Sequence, residues 1–153
     1  MKKYANLIDG KLLKPASGKY FKNINPADRS DVIGLFPDSG SSDIKTAVEA
    51  ARKAFVFWKD VPAPKRGELV YRSAELLAKN KAKLAAVIVR EMGKTLPESL
   101  GDIQSSIDVA NFMAGEGRRL YGQTTHSALT RRWALTKRAP VGVCGLITAW
   151  NAP

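Results

Sequence analysis

The stretch VGVCGLIT, residues 141–148, is apolar on both parities. A strand with one wet face alternates apolar and polar residues. A run that is apolar on both sides needs cover on both faces, which is the condition of a strand inside a parallel sheet. The segment therefore points to an α/β architecture. One such strand cannot complete a sheet. Val141, Val143, Leu146 and Ile147 would lack most of their partners within this chain, and an isolated chain should be unstable or sticky. The run then delivers Trp150 and Asn151, an aromatic ring and an amide, to its carboxyl end, where open α/β sheets place their ligands.

The residues before it read as strands, then helices. NLIDGKLL carries apolar pairs on either side of Asp9-Gly10, which predicts a short hairpin with a type I′ turn. Asn25-Pro26 and Asp28-Arg29-Ser30 mark a second turn, and VIGLF, 32–36, predicts a strand ended by Pro37. A first helix places Ile44, Ala47, Val48, Ala51, Ala54, Phe55 and Trp58 on one stripe, with Ser41, Ser42 and Asp43 offering capping oxygens. Beyond the Pro-Ala-Pro break at 62–64, a second stripe uses Leu69, Val70, Ser73, Leu76 and Leu77. A third helix, about 81–92, carries Leu84, Val87, Ile88 and Met92, with Gly93 suited to the left-handed residue after it. Thr95-Leu96-Pro97-Glu98 reads as a capping box for a fourth helix, which should run through Ile103 and Ile107 to about Tyr121. From Gln123 the texture turns polar and basic, and WALTKR alternates weakly, like an exposed strand or arm.

Several function classes lose support. A single cysteine, Cys144, permits no internal disulfide and fits a reducing compartment. Its place inside the apolar run, with no nearby histidine or helix amino terminus, predicts a buried, inert thiol. The single histidine, His126, rules out a His-rich metal site, and its polar surroundings predict solvation. No apolar stretch approaches the length of a membrane span, and the opening MKKYANLIDGKLL lacks the apolar core of a signal peptide, so the expectation is a cytoplasmic protein. The formal net charge of +11 invites a nucleic-acid reading, which predicts steeply salt-dependent retention on DNA. Against it, the basic residues are spread along the chain. The one dense cluster, TRRWALTKR at 130–138, has one tryptophan and no known reader pattern. Gly115-Glu116-Gly117 starts like a dinucleotide fingerprint, but it lies late in a helix, follows no strand and lacks the third glycine.

NINPADRSDVIGLFP, the helix ending in FVFW, REMGKT at 90–95, and above all APVGVCGLITAWNAP resemble the amino-terminal part of the NAD(P)-dependent aldehyde dehydrogenase superfamily. The resemblance covers essentially the whole chain. It implies a partial Rossmann-like cofactor-binding domain with amino-terminal hairpin strands, four helices and the first parallel strand. On that pattern, 1–122 is the leading part of the domain, 123–140 an oligomerisation arm, and 141–153 the first strand of the nucleotide-binding sheet leading into the active site. The subunit so implied is longer than this chain and forms a homo-oligomer, and its partner is a small aldehyde.

The implied reaction oxidises an aldehyde to a carboxylic acid. A thiolate attacks the carbonyl, hydride leaves to NAD or NADP, and water activated by a glutamate releases the product. The resemblance places the nucleophile, the base and the glycine-containing cofactor turn beyond residue 153, so this chain alone should be inactive. Asn151 matches the asparagine that donates to the oxyanion. A carboxamide fixed before charge develops is suited to that work. Asparagine before Ala-Pro is also an ordinary turn residue. Ile147, Thr148, Ala149 and Trp150 match the stretch that lines the cofactor's ribose and nicotinamide. Many relatives carry proline at the position of Ala149 and a bulky aromatic at that of Ala152. The latter borders the substrate tunnel, so the small side chain of Ala152 leaves room for a wider aldehyde. The REMGKT residues Glu91, Gly93 and Lys94 are assigned to helix termination and packing. A non-catalytic paralogue whose arm docks on complete subunits is the alternative from a different class.

Overall fold

The hairpin signal at Asp9-Gly10 holds. In the computed structural model, which describes residues 1–152, β1 (Asn6–Ile8) and β2 (Lys11–Leu13) pair antiparallel with Ile8 opposite Lys11. Asp9 and Gly10 take φ of 53° and 70°, the positive values that a two-residue turn of this hand demands. The second turn joins β3 (Tyr20–Ile24) to β4 (Val32–Pro37), with a register shift at Asn23/Ile24. Its loop is held by its own polar residues: the Asn25 side chain accepts the Ala27 amide, and Asp28 accepts the amide and hydroxyl of Ser30. On the other edge of β4, Lys2 and Tyr4 bond the backbone of Leu35.

Four helices follow: α1 (Ser41–Trp58), α2 (Ala63–Lys79), α3 (Lys81–Met92) and α4 (Leu96–Glu116). Asp43 caps α1 from its third position, accepting the Gly40 amide at 3.0 Å and tying in Ala16 at 2.9 Å. Those two amides, Gly40 first, hold its carboxyl below the ordinary aspartate value. The Thr95 capping box forms as read, with the Thr95 amide on Glu98 at 3.2 Å and the Glu98 amide on the Thr95 hydroxyl at 3.4 Å. The core is small. Ala85 and Ile88 of α3 meet Ile103 and Ile107 of α4, with Leu77, Leu84, Met92 and Leu100 around them.

Two helical expectations are corrected. The α2 stripe of Leu69, Val70, Ser73 and Leu76 is exposed; Gly67 and Ala74 are the buried residues. Small residues win there because α2 and α4 approach closely: a Cβ on Gly67 would strike the Ala114 carbonyl oxygen, and one on Gly117 would strike that of Ala63. Helix α4 ends at Glu116, short of Tyr121. The chain turns at Gly117, where the amides of Arg118 and Arg119 bond Gly115 and Glu116.

Beyond it, β5 (Thr124–His126) and β6 (Trp133–Leu135) form an exposed antiparallel hairpin, with the His126 ring 4.8 Å from that of Trp133 and tilted against it by 34°. His126 is therefore exposed as expected, but in a strand. Residues 141–148 carry no strand among the described residues. A strand is a hydrogen-bonded pairing, and no neighbour lies alongside to supply one.

The solvent-accessible surface is 12080 Å² for 16.7 kDa. A compact monomer of that mass exposes about 7,600 Å². Ile44 and Trp58 of α1 and Val141, Leu146 and Ile147 are exposed. The helical stripes and the apolar run read from sequence are present, and much of their surface lacks cover within these residues.

Candidate active site

The segment that carries the candidate residues follows the β5–β6 hairpin, which ends at Leu135, and runs without regular structure to a turn at Trp150-Asn151. Gly142, at φ 109°, is a backbone state open to glycine and costly for other residues. Ile147 is fully exposed at 101% and Trp150 at 87%, and Thr148, Ala149, Asn151 and Ala152 are exposed too. Residues 147–152 are thus exposed in sequence, and no side-chain contact among them joins them into a pocket. Neither Ile147 nor Trp150 packs into a core here. Pro153, the last residue of the WNAP run, lies outside the described residues. Cys144 is exposed, which corrects the buried reading; its thiol lies 3.8 Å from the Gly142 carbonyl oxygen. The cover expected over it would come from paired strands, and none is alongside.

The turn at 150–151 is anchored from a distance. Helix α3 ends at Gly93, whose φ of 76° reverses the chain and sends Lys94 back across α4. The Lys94 ammonium donates to Asp102 of α4 at 2.5 Å and to the Asn151 main-chain carbonyl at 2.7 Å. Both side chains of the pair are largely covered, at 22% and 26% exposure. The same 90–94 segment is tied at its other end. Arg90 grips Asp31 of the β3–β4 loop through two bonds of 2.9 and 2.6 Å, and Glu91 accepts from Asn23 at 3.2 Å. The Arg90 guanidinium, with Asn25 second, holds the Asp31 carboxyl below its ordinary range.

The chemical capacity of the surface follows from its residue types. Asn151 presents a carboxamide whose N–H donors suit developing negative charge on an oxygen. Among the described residues that carboxamide makes no hydrogen bond, whereas its main-chain carbonyl accepts one from Lys94. Ile147 and Trp150 offer apolar and aromatic surface for a flat ring, and Thr148 a hydroxyl. No group of three or more His, Cys, Asp or Glu among the described residues is placed to hold a metal ion. Among the described residues no helix is long and apolar enough to cross a membrane.

The model of the aldehyde dehydrogenase family matches residues 13–153. The chain belongs to the aldehyde dehydrogenase family. The alpha-ketoglutaric semialdehyde dehydrogenase of Bacillus subtilis is 37% identical over 98% of this chain and 31% of its own length. Among solved structures, an NAD-dependent aldehyde dehydrogenase from Sinorhizobium meliloti superposes with a TM-score of 0.93. It is 35% identical over 99% of this chain and 31% of that one. The succinate-semialdehyde dehydrogenase of Burkholderia pseudomallei gives a TM-score of 0.93 at 29% identity, over 98% of this chain and 31% of that one. The chain thus spans about 31% of the length of the aldehyde dehydrogenases it matches. The four helices and short antiparallel strand pairs are those of this fold, and the family is one of oxidoreductases acting on aldehydes.

Sequence reading missed the Lys94–Asp102 pair as part of the site. Lys94 lies in a segment already singled out, REMGKT, but Asn151 is 57 residues away. No periodicity or motif spacing reports a contact of that separation.

Proposed function

We propose that these residues form the amino-terminal part of an NAD(P)-dependent aldehyde dehydrogenase that oxidises an aldehyde to a carboxylic acid. What carries this reading is the family match over residues 13–153 together with Asn151 standing in an anchored turn at the end of the apolar run. Asn151 donates its carboxamide hydrogen to the carbonyl oxygen as a thiolate elsewhere in the subunit adds to the carbon. The oxygen gains charge in that step, and a donor fixed beforehand favours the charged state over the neutral one. NAD or NADP, when bound, accepts the hydride. Ile147, Thr148, Ala149 and Trp150 fit the flat, mostly apolar part of such a cofactor. The phosphates need donors these residues do not provide. Ala152 leaves space beside the substrate.

Residues 1–122 serve as the leading part of the cofactor domain and 141–153 as its first sheet strand, formed when further strands pair with it. The 123–140 segment, with its exposed β5–β6 hairpin, serves as an arm between subunits of a homo-oligomer. By themselves the 153 residues turn over no aldehyde, since the nucleophile and base belong to other parts of the subunit. Semialdehydes that carry a carboxylate are the first substrates to try. The relatives named above act on two of them by name, and a net charge of +11 favours the approach of anions.

The test is aldehyde-dependent reduction of NAD and NADP by the complete polypeptide that carries these residues, followed by absorbance. Turnover with either cofactor is the expected result. No turnover across short, long and carboxylated aldehydes contradicts the proposal.

A further inference from the structure

The Lys94 ammonium joins three things: the end of α3, the Asp102 carboxylate on α4, and the main-chain oxygen of Asn151. An Asn151 side chain can hold a donor in place only if its own backbone is held. The apolar run before it makes no strand pairing among the described residues and gives that backbone no hold. The restraint comes from the Lys94 ammonium. The anchor is itself anchored, because Arg90 and Glu91 fasten the same segment to the β3–β4 loop through Asp31 and Asn23. Gly93 gives the segment its sharp reversal, and a Cβ there would lie 3.2 Å from Pro26.

We infer that Lys94, oriented by Asp102, is a positioning residue that sets the place of the Asn151 carboxamide through its backbone. The inference rests on the oxyanion role proposed for Asn151. Lys94 touches no reacting atom. Its chemistry is that of a cation with three donors, two of which are used here. An ammonium between a carboxylate and a carbonyl oxygen resists displacement in every direction that lengthens either bond. Removing it frees the turn to shift, and a misplacement of about 1 Å in a catalytic group costs up to about 100-fold in rate.

The experiment compares Lys94→Met, Lys94→Arg, Asn151→Ala and the Lys94→Met/Asn151→Ala double variant in the complete enzyme. Lys94→Met should lower kcat by about 10- to 100-fold. KM for the aldehyde should stay within about threefold, as for an interaction realised in the transition state. Lys94→Arg should recover most of the loss. In the Asn151→Ala background, Lys94→Met should cost less than about a further twofold, because both changes remove one device. An equal loss in both backgrounds, or a risen KM with intact kcat, overturns the inference. An Asn151→Ala variant with unchanged kcat would defeat the oxyanion proposal instead. The tether is then decided by amide hydrogen exchange at Asn151 and Ala152. Faster exchange in Lys94→Met than in the parent sustains it, and unchanged exchange overturns it.

Discussion

Replacing Gly67 by alanine sets two effects of opposite sign against each other. Gly67 lies inside α2, where alanine is the better helix former by about 0.8–1 kcal/mol. On propensity alone the change stabilises. The structure reverses the sign. The added Cβ would fall against the backbone carbonyl oxygen of Ala114 on α4, closer than van der Waals contact allows. A backbone atom inside a helix cannot turn aside as a side chain can, so the two helices must move apart. Overpacking of this kind costs about 1–3 kcal/mol, and a backbone obstacle belongs at the upper end. The net expectation is a loss of about 1–2 kcal/mol, or about 2–8 °C in Tm for a chain of this size. Gly101→Ala supplies the control. Gly101 is also interior to a helix, α4, but nothing lies within 4 Å of its Cβ position. It should gain about 0.5–1 kcal/mol. Urea unfolding followed by far-UV circular dichroism measures both. If Gly67→Ala proves as stable as Gly101→Ala, the close approach of α2 and α4 is wrong.

Three further outcomes are expected. Ile107→Ala, in the four-residue core, should cost about 2–5 kcal/mol, and a loss under 1 kcal/mol would show that the α3–α4 core is not the main one. The carboxyls of Asp31 and Asp43 sit below their ordinary values, so the stability they contribute is complete above about pH 4 and is lost as the pH falls further. Unfolding midpoints measured down the acid limb should decline there, and Asp43→Asn should flatten that decline; an identical acid limb in the variant refutes it. In the complete enzyme, Ala152→Phe should lower kcat/KM for bulky aldehydes more than for short ones, and an equal change for both would remove Ala152 from the tunnel wall.

How far the sequence could be read depended on the range of the interaction. The Asp9-Gly10 turn, the Gly93 stop and the Thr95–Glu98 box are decided within four residues, and each stands as read. The buried face of α2 was not legible, because its contacts, Gly67 against Ala114 and Ala63 against Gly117, show only that two backbones must nearly touch. Hydrophobic periodicity marks large side chains, and here small ones make the contact. The apolar run at 141–148 was legible in character but not in form. Its pattern says what must cover it, and pairing depends on strands that these residues do not bring alongside. At the candidate site, Asn151 and its neighbours were singled out by motif resemblance alone, while the cation that bonds the Asn151 carbonyl was not. An ion pair between residues 94 and 102, with a hydrogen bond onward to residue 151, leaves no periodic trace.

The most direct measurement is kcat for Asn151→Ala in the complete enzyme, beside the parent, with one carboxylated semialdehyde at saturation. The loss of a fixed oxyanion donor should lower kcat by about 100- to 1,000-fold. A variant that retains its parent's kcat would contradict the claim that this carboxamide meets the charge on the carbonyl oxygen.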